Sequence, residues 1–342
     1  MARVVRWTPS PRLAGGLILI SGTSPIGVSV STCALFSARP WAVLQPCPPT
    51  KLHSAQTAPT PQETSLSNLQ TVATVSRVES RLADRSATLG SNTRILGIRV
   101  DDVPRSAIVA RVVDAVRQRQ RAYVVNANAH LLTVARDLPW LSELYDGADI
   151  AFCDGAGVQL AARLLHGRLF HRTTPPEWLP DVAAVLAPEG CTLYWLGGKP
   201  GVVERAAESY AGQTGLCSVG CQHGFFDHRA GSEDNARIVR HINETQPDIL
   251  LINMGMPLQE RWLYDHWHLL EVPVAITAGA LVDHAAGHVR RPPRWVANLG
   301  LEWAVRLAVE PRRLWRRYML GLPVFGVHIL GELAMKKRER KV

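Results

Sequence analysis

No stretch of this 342-residue chain strings together the ~18 apolar residues that a membrane-spanning helix needs. The nearest approaches are "LAGGLILI" (13–20) and "MLGLPVFGVHIL" (319–330). The first follows Arg3, Arg6 and Arg12 as a secretory leader would, but no convincing cleavage site comes after it and the rest reads as cytosolic. Cysteine is scarce too. Cys33, Cys47, Cys153, Cys191, Cys217 and Cys221 are scattered through a chain far too long for a disulfide-stapled miniprotein. Cys217 and Cys221 are spaced Cys-x3-Cys without a second Cys or His pair nearby, so small apolar residues in a reduced compartment are expected and no metal. Two phosphate-binding fingerprints are missing as well. The third glycine expected after Gly155-Ala-Gly157 is Leu160, which disfavours a nicotinamide-dependent oxidoreductase, and Gly197-Gly198-Lys199 lacks the spacing of an ATPase loop. There is no internal repeat.

What the chain has in excess is positive charge, and that excess is local. The formal charge is +9, and residues 290–342 hold 13 Lys and Arg against 4 Glu, the same net value. In that segment Arg306, Arg313 and Arg316 are spaced by seven and three, roughly one helical face. A solvated basic face is the ordinary reading of such spacing. Here Trp295, Trp303, Trp315 and Tyr318 are interleaved with the arginines and an apolar run follows, which favours an interfacial segment meeting anionic lipid. Nucleic acid is not expected, since neither a basic core nor a reading module is visible.

Three regions follow. Residues 1–91, rich in Pro, Ser, Thr and Gln over "QPCPPTKLHSAQTAPTPQETSLSNLQTVATVS", read as a disordered extension. Residues 92–289 alternate short Val/Ile/Leu-rich runs with helical segments of 10–15 residues, the pattern of βαβ units. A Rossmann-like α/β core is expected, with a mostly parallel sheet covered by helices on both faces. "RILGIRVDD" and "RAYVVNANA" read as strands, and "AHLLTVARDLPWLSELYDGA" as a helical segment. Residues 290–342 form a basic, amphipathic, helical appendage.

In such sheets ligands bind beyond the carboxyl ends of the strands, so the polar residues there are the candidates. Asp154 follows "IAFC" and precedes Gly155-Ala-Gly157. It suits a general base held beside a reacting hydroxyl, and equally a helix cap. Asn126 and Asn128 point to one face of a strand end, for sugar hydroxyls or simply to close a turn. Arg172, in the Pro-stiffened "HRTTPPEWLP", suits a phosphate or carboxylate, or stays solvated. Gly198 opens a turn before a helix where an anion fits. "PDILLINMGMPLQERW" ends a buried run in a Gly/Pro turn that delivers Gln259, with Glu260 and Arg261 turned elsewhere by helical geometry. Asp101-Asp102 stands far in sequence from the other strand ends.

Residues 93–330 resemble the WecG/TagA/CpsF family of bacterial glycosyltransferases. The resemblance is carried in order by "VVNANAHLLTVA", "DIAFCDGAGVQLAARLL", "LFHRTTPPEWL", "LYWLGGKPGVVERAA", "PDILLINMGMPLQERW", "ITAGALVDHAAGHVRRPPRW" and "GLEWAVRLAVEPRRLWRRY". It implies an inverting, metal-independent transfer of a sugar, N-acetylmannosamine first, from a UDP-sugar to an undecaprenyl-diphosphate-linked acceptor sugar in surface polysaccharide synthesis. Glucose and mannosaminuronate donors occur among its members. The resemblance places the base at Asp154 and pocket residues at Asn126, Asn128, Arg172 and Gln259. It sets Arg306, Arg313 and Arg316 against the acceptor's diphosphate at the cytoplasmic face of the membrane, with no cofactor. The oligomeric state is left open. Two positions depart from the family pattern: Asn126 stands where Thr is common, and Pro175-Pro176-Glu177 where Gly-x-Asp is usual. A catalytically inactive binding protein for nucleotide-sugars or lipid diphosphates is the alternative from another class.

Overall fold

The protein is described by a computed structural model over residues 92–287 and 302–339; the expected N-terminal extension and the start of the appendage lie outside the described residues. An eight-stranded sheet forms the middle layer. In chain order its strands are β1 (Asn92–Ile95), β2 (Ile98–Asp101), β3 (Ala122–Ala127), β4 (Ile150–Cys153), β5 (Thr192–Gly197), β6 (Cys217–Gln222), β7 (Ile249–Asn253) and β8 (Val274–Thr277). Across the sheet the order is β1-β2-β4-β3-β8-β7-β5-β6, and only the β1–β2 pair is antiparallel. The expected α/β architecture is what the chain adopts.

The connecting helices are α1 (Arg105–Arg117), α2 (Ala129–Val134), α3 (Trp140–Asp146), α4 (Ala156–His166), α5 (Pro175–Leu186), α6 (Val202–Thr214), α7 (Glu233–Thr245), α8 (Leu258–His266) and α9 (Leu281–Ala285). Strands β3, β4, β7 and β8 are buried along their whole length because helices cover both faces. Their side chains part with period two. Leu250 and Ile252 join a core with α2, α3, α4, α7 and α8, while Ile249 and Leu251 join the core under α1, α5, α6 and α9.

Two readings of local structure are corrected. "RILGIRVDD" is a hairpin and not one strand: Leu96 and Gly97 turn the chain at φ 51° and 84°. A two-residue turn with both φ positive suits a right-twisted hairpin, but a leucine at its first position hides the signal. The segment after β3 is two helices. Pro139 cannot extend the helix before it, so a 3-10 turn at Ala135–Asp137 separates α2 from α3.

Past Glu302 the chain is helical to Glu339: α10 (Glu302–Val309), α11 (Pro311–Trp315), a π-helical turn (Arg316–Leu320) and α12 (Gly321–Glu339). α12 lies on the core, where Phe325 and Ile329 bury among residues of α2 and α4. Its Glu332 carboxylate accepts the Leu96 backbone N–H at 2.9 Å. The run Arg316–Glu339 is long and apolar enough by composition to cross a membrane, which the sequence alone did not suggest, although the packing of α12 ties it to the domain. Cys153, Cys191 and Cys221 are free thiols, the first and last of them buried.

Candidate active site

The carboxyl ends of β3, β4, β5, β7 and β8 open into one cleft of about 1330 Å³, closed on its far side by α10, the π turn and the start of α12. A pocket for one small ligand holds roughly 300–1,000 Å³. This cleft exceeds that range.

Asp154 sits on the cleft at the end of β4, half-buried. Its backbone N–H donates to the Ala127 carbonyl at 2.8 Å, which ties it to β3. The Asn126 amide then donates to its carboxylate at 2.7 Å. Thr277 fixes which way that amide points. The Thr277 hydroxyl accepts the Asn126 backbone N–H at 3.2 Å, so its single proton goes to Asn126 Oδ1 at 2.9 Å. Oδ1 is therefore the acceptor and Nδ2 faces Asp154. The N-cap position of α4 falls on Gly155, so the capping role weighed for Asp154 belongs to its neighbour. Gly157 serves close packing, because a Cβ there would meet Ala129 Cβ at 3.2 Å.

Asn128 also lines the cleft, as the N-cap of α2. Its Oδ1 accepts from Leu131 N at 3.1 Å and its Nδ2 rests on Met256 Sδ at 2.9 Å. Gly198 lines the cleft with φ +75°, but its own N–H is spent on the Asn253 carbonyl at 3.1 Å. Arg172 is half-buried beside the end of β4, close enough for its charge to act on Cys153, and stands outside the lining. Glu177, the departure in the following loop, turns back to accept the Thr174 N–H at 2.9 Å and caps α5, leaving Pro175 and Pro176 on the cleft wall.

Gln259 is completely buried below the cleft. Its Oε1 accepts from Gly279 N at 3.1 Å and its Nε2 donates to Glu260 at 2.7 Å, so the amide is engaged at both ends. Glu260 is buried with it, and one carboxylate oxygen has no hydrogen-bond partner. Burial pushes the Glu260 carboxyl up to about 7 against the lowering effects of Gln259 and Arg317. The signal for both residues was in the sequence: Gln259, Trp262, Leu263 and His266 make an i, i+3, i+4, i+7 buried stripe, and Glu260 lies beside it.

Arg306 and Arg316 line the cleft; Arg313 lies in α11, its side chain outside the described residues. Arg317 joins them, missed because α-helical spacing does not set Arg316 and Arg317 on one side. The π turn carrying them is wider than an α-turn, a form that concentrates at functional sites. His130 lines the same wall. Burial first, then the charge of Arg317, lowers it to about 4, so it is neutral at pH 7. Asp101 and Asp102 are structural: Asp101 accepts from Arg99 and from Ala151 N at 2.9 Å, and Asp102 holds Arg168 and His171.

Fold and cleft together define an α/β enzyme whose crevice sets a braced carboxylate against an arginine-bearing helical arm. The WecG/TagA/CpsF glycosyl transferase family matches residues 93–339, and the chain belongs to that family. It is a glycosyltransferase. Among its relatives, the N-acetylglucosaminyldiphosphoundecaprenol N-acetyl-beta-D-mannosaminyltransferase of Bacillus subtilis is 29% identical over 54% of this chain and 69% of its own length. The enzyme of the same name from Staphylococcus aureus is 26% identical over 72% of this chain and 94% of its own length.

Proposed function

We propose that the protein transfers N-acetylmannosamine from a UDP-sugar to N-acetylglucosamine carried on undecaprenyl diphosphate, with inversion and without a metal. The acceptor and the sugar are those in the relatives' names. The observation that carries the mechanism is Asp154, held by Asn126 on one wall of a cleft whose other wall bears Arg306, Arg316 and Arg317.

Asp154 takes the proton of the acceptor hydroxyl as the oxygen attacks the anomeric carbon. The bond to the UDP oxygen breaks on the opposite face, so a single displacement inverts the centre. Charge grows on the leaving diphosphate, where a cation lowers the barrier. Arginines also suit the acceptor's own diphosphate, which they grip in bidentate fashion.

The lipid chain of the acceptor has a route. Leu320 and Val324 line the cleft and are 57% and 44% exposed, and Val327 continues the apolar strip along α12 at 67%. Phe325 and Ile329 fasten the other side of α12 to the core, which supports a helix lying along an anionic membrane surface and a peripheral enzyme on its cytoplasmic face.

Asp154→Asn tests the base. The amide cannot accept a proton, so turnover should fall by about 10²–10⁴-fold, the range ascribed to a positioned base, with thermal stability close to wild type. UDP release from UDP-N-acetylmannosamine and a lipid-linked N-acetylglucosamine acceptor measures it. Undiminished release would remove Asp154 from the mechanism.

A further inference from the structure

A second recess lies away from the cleft, between α7 and the end of α8 with the 3-10 turn that follows it (Trp267–Leu269). It encloses about 740 Å³, inside the range of a small-ligand pocket. Side-chain bonds set its walls. The Trp262 indole N–H donates to Asn235 Oδ1 at 3.0 Å, and the Asn243 amide donates to the Leu269 carbonyl at 2.9 Å while accepting the Glu271 N–H at 3.0 Å. α8 and the turn therefore run alongside α7 in the same direction, and His266 falls between these ties, level with the middle of α7. It lines the recess and is 5% exposed. Its ring stacks on Trp262 with centres 4.8 Å apart, and its Nδ1 donates to the Trp262 carbonyl at 2.8 Å, since a carbonyl only accepts. Nε2 has no hydrogen-bond partner among the described residues. In the neutral ring that atom carries a lone pair, so a buried acceptor is left for a donor from outside the fold.

The surroundings select the donor. Glu244 and Glu271 line the same recess, exposed and without an ion pair among the described residues. Asp265, also on it, is held by Arg261 at 2.8 Å, and Arg240 offsets one of the remaining charges. His266 and Glu244 stand in the last turns of α8 and α7, where the partial negative charge of a helix end favours a cation as well. Val239 and the half-exposed Leu269 add apolar wall. From the middle of α7 near Val239 to Glu244 the helix rises ~7.5 Å, about the span of a five-carbon chain with an amine at each end. We propose that this recess binds an aliphatic diamine, with one ammonium donating to His266 Nε2, the other at Glu244 and Glu271, and the stem on Val239 and Leu269. The site is separate from the glycosyl-transfer cleft, and the inference stands apart from the donor and acceptor reading above.

The test is calorimetric binding of 1,5-diaminopentane and of 1,5-pentanediol to the full chain, to His266→Phe and to the double variant Glu244→Gln with Glu271→Gln. Wild type should bind the diamine saturably, and the diol, with the same stem and no charge, about tenfold or more weaker. His266→Phe keeps a ring on Trp262 and removes Nε2. The lost hydrogen bond to a charged group should weaken the diamine by about tenfold or more. The double variant leaves the imidazole in place and should weaken it by about threefold or more, exposed charges counting for less. Equal diamine affinity in wild type and His266→Phe overturns the inference, as does equal affinity for diol and diamine, or no saturable diamine binding at all. Displacement of the diamine by UDP also overturns it, by placing the amine in the catalytic cleft. If circular dichroism shows that His266→Phe does not fold, the double variant carries the test, and unchanged diamine affinity there overturns the site.

Discussion

At the scale of single residues, the site depends on where carboxylates are allowed to ionise. Asp154 faces the cleft and receives the Asn126 amide, while Glu260 lies under the same floor with a carboxylate oxygen that nothing satisfies. Arg317 is the cation whose charge reaches Glu260. Tyr145, beside both carboxylates, keeps its proton because of burial first and their negative charge second. The Glu260 carboxyl rises on folding from 4.5 to about 7, so between these pH values the folded chain holds a proton that the unfolded chain has lost. Stability from this group is full below pH 4.5 and is lost as pH rises through 7, a change on the order of 3 kcal/mol. Glu260→Gln should flatten the fall in denaturation midpoint between pH 5 and 8; an identical slope in the variant would show that other groups cause it. Asp154 could be read from the sequence because an acid after a buried run and before Gly-x-Gly can hardly avoid a strand end. Asn126 could not be read as its brace. That role comes from Thr277, 151 residues away along the chain and next to it in space.

Among the elements, the C-terminal arm departs most from a reading by periodicity. A basic segment with interleaved tryptophans announced an interface, yet spacing by seven and three could not reveal a π turn that presents Arg316 and Arg317 together. Nor could it show that Phe325 and Ile329 belong to the core. The sheet was more legible, since most of the apolar runs close at or beside Gly, Asp or Asn. Removing the whole arm would strip cover from α2 and α4, so its surface role is better tested by point changes. Val327 and Leu330 are 67% and 63% exposed and stand one helical turn apart on α12. Val327→Glu with Leu330→Glu should reduce binding to anionic vesicles by about tenfold or more, through lost apolar burial and added repulsion, while the circular dichroism spectrum stays unchanged. Vesicle binding equal to wild type would mean that this strip meets water in use.

For the whole molecule, the decisive feature is that positive charge, apolar strip and cleft mouth share one end of the chain. Residues 290–342 carry a net charge equal to that of the entire protein. At the end of α12 Lys336, Lys337 and Arg338 follow the exposed Val327 and Leu330, and in the π turn that precedes it Arg316 and Arg317 line the cleft. On the membrane reading proposed above, attraction of the basic end would draw the apolar strip into the interface and bring the lipid-linked acceptor to the cleft. Each Lys or Arg near an anionic surface contributes about 1 kcal/mol at physiological ionic strength, and the attraction is screened over about 8 Å at 0.15 M salt and 3 Å at 1 M. Vesicle binding should thus weaken steeply between 0.05 and 1 M salt, and neutral vesicles should bind weakly at every salt concentration. Activity on the lipid-linked acceptor should fall in parallel, whereas UDP binding, made inside the cleft, should change much less. Co-sedimentation with vesicles of graded anionic content, alongside UDP titrations at the same salt, separates these terms. Salt-independent sedimentation would leave the apolar strip as the whole anchor and the basic excess without a part in it.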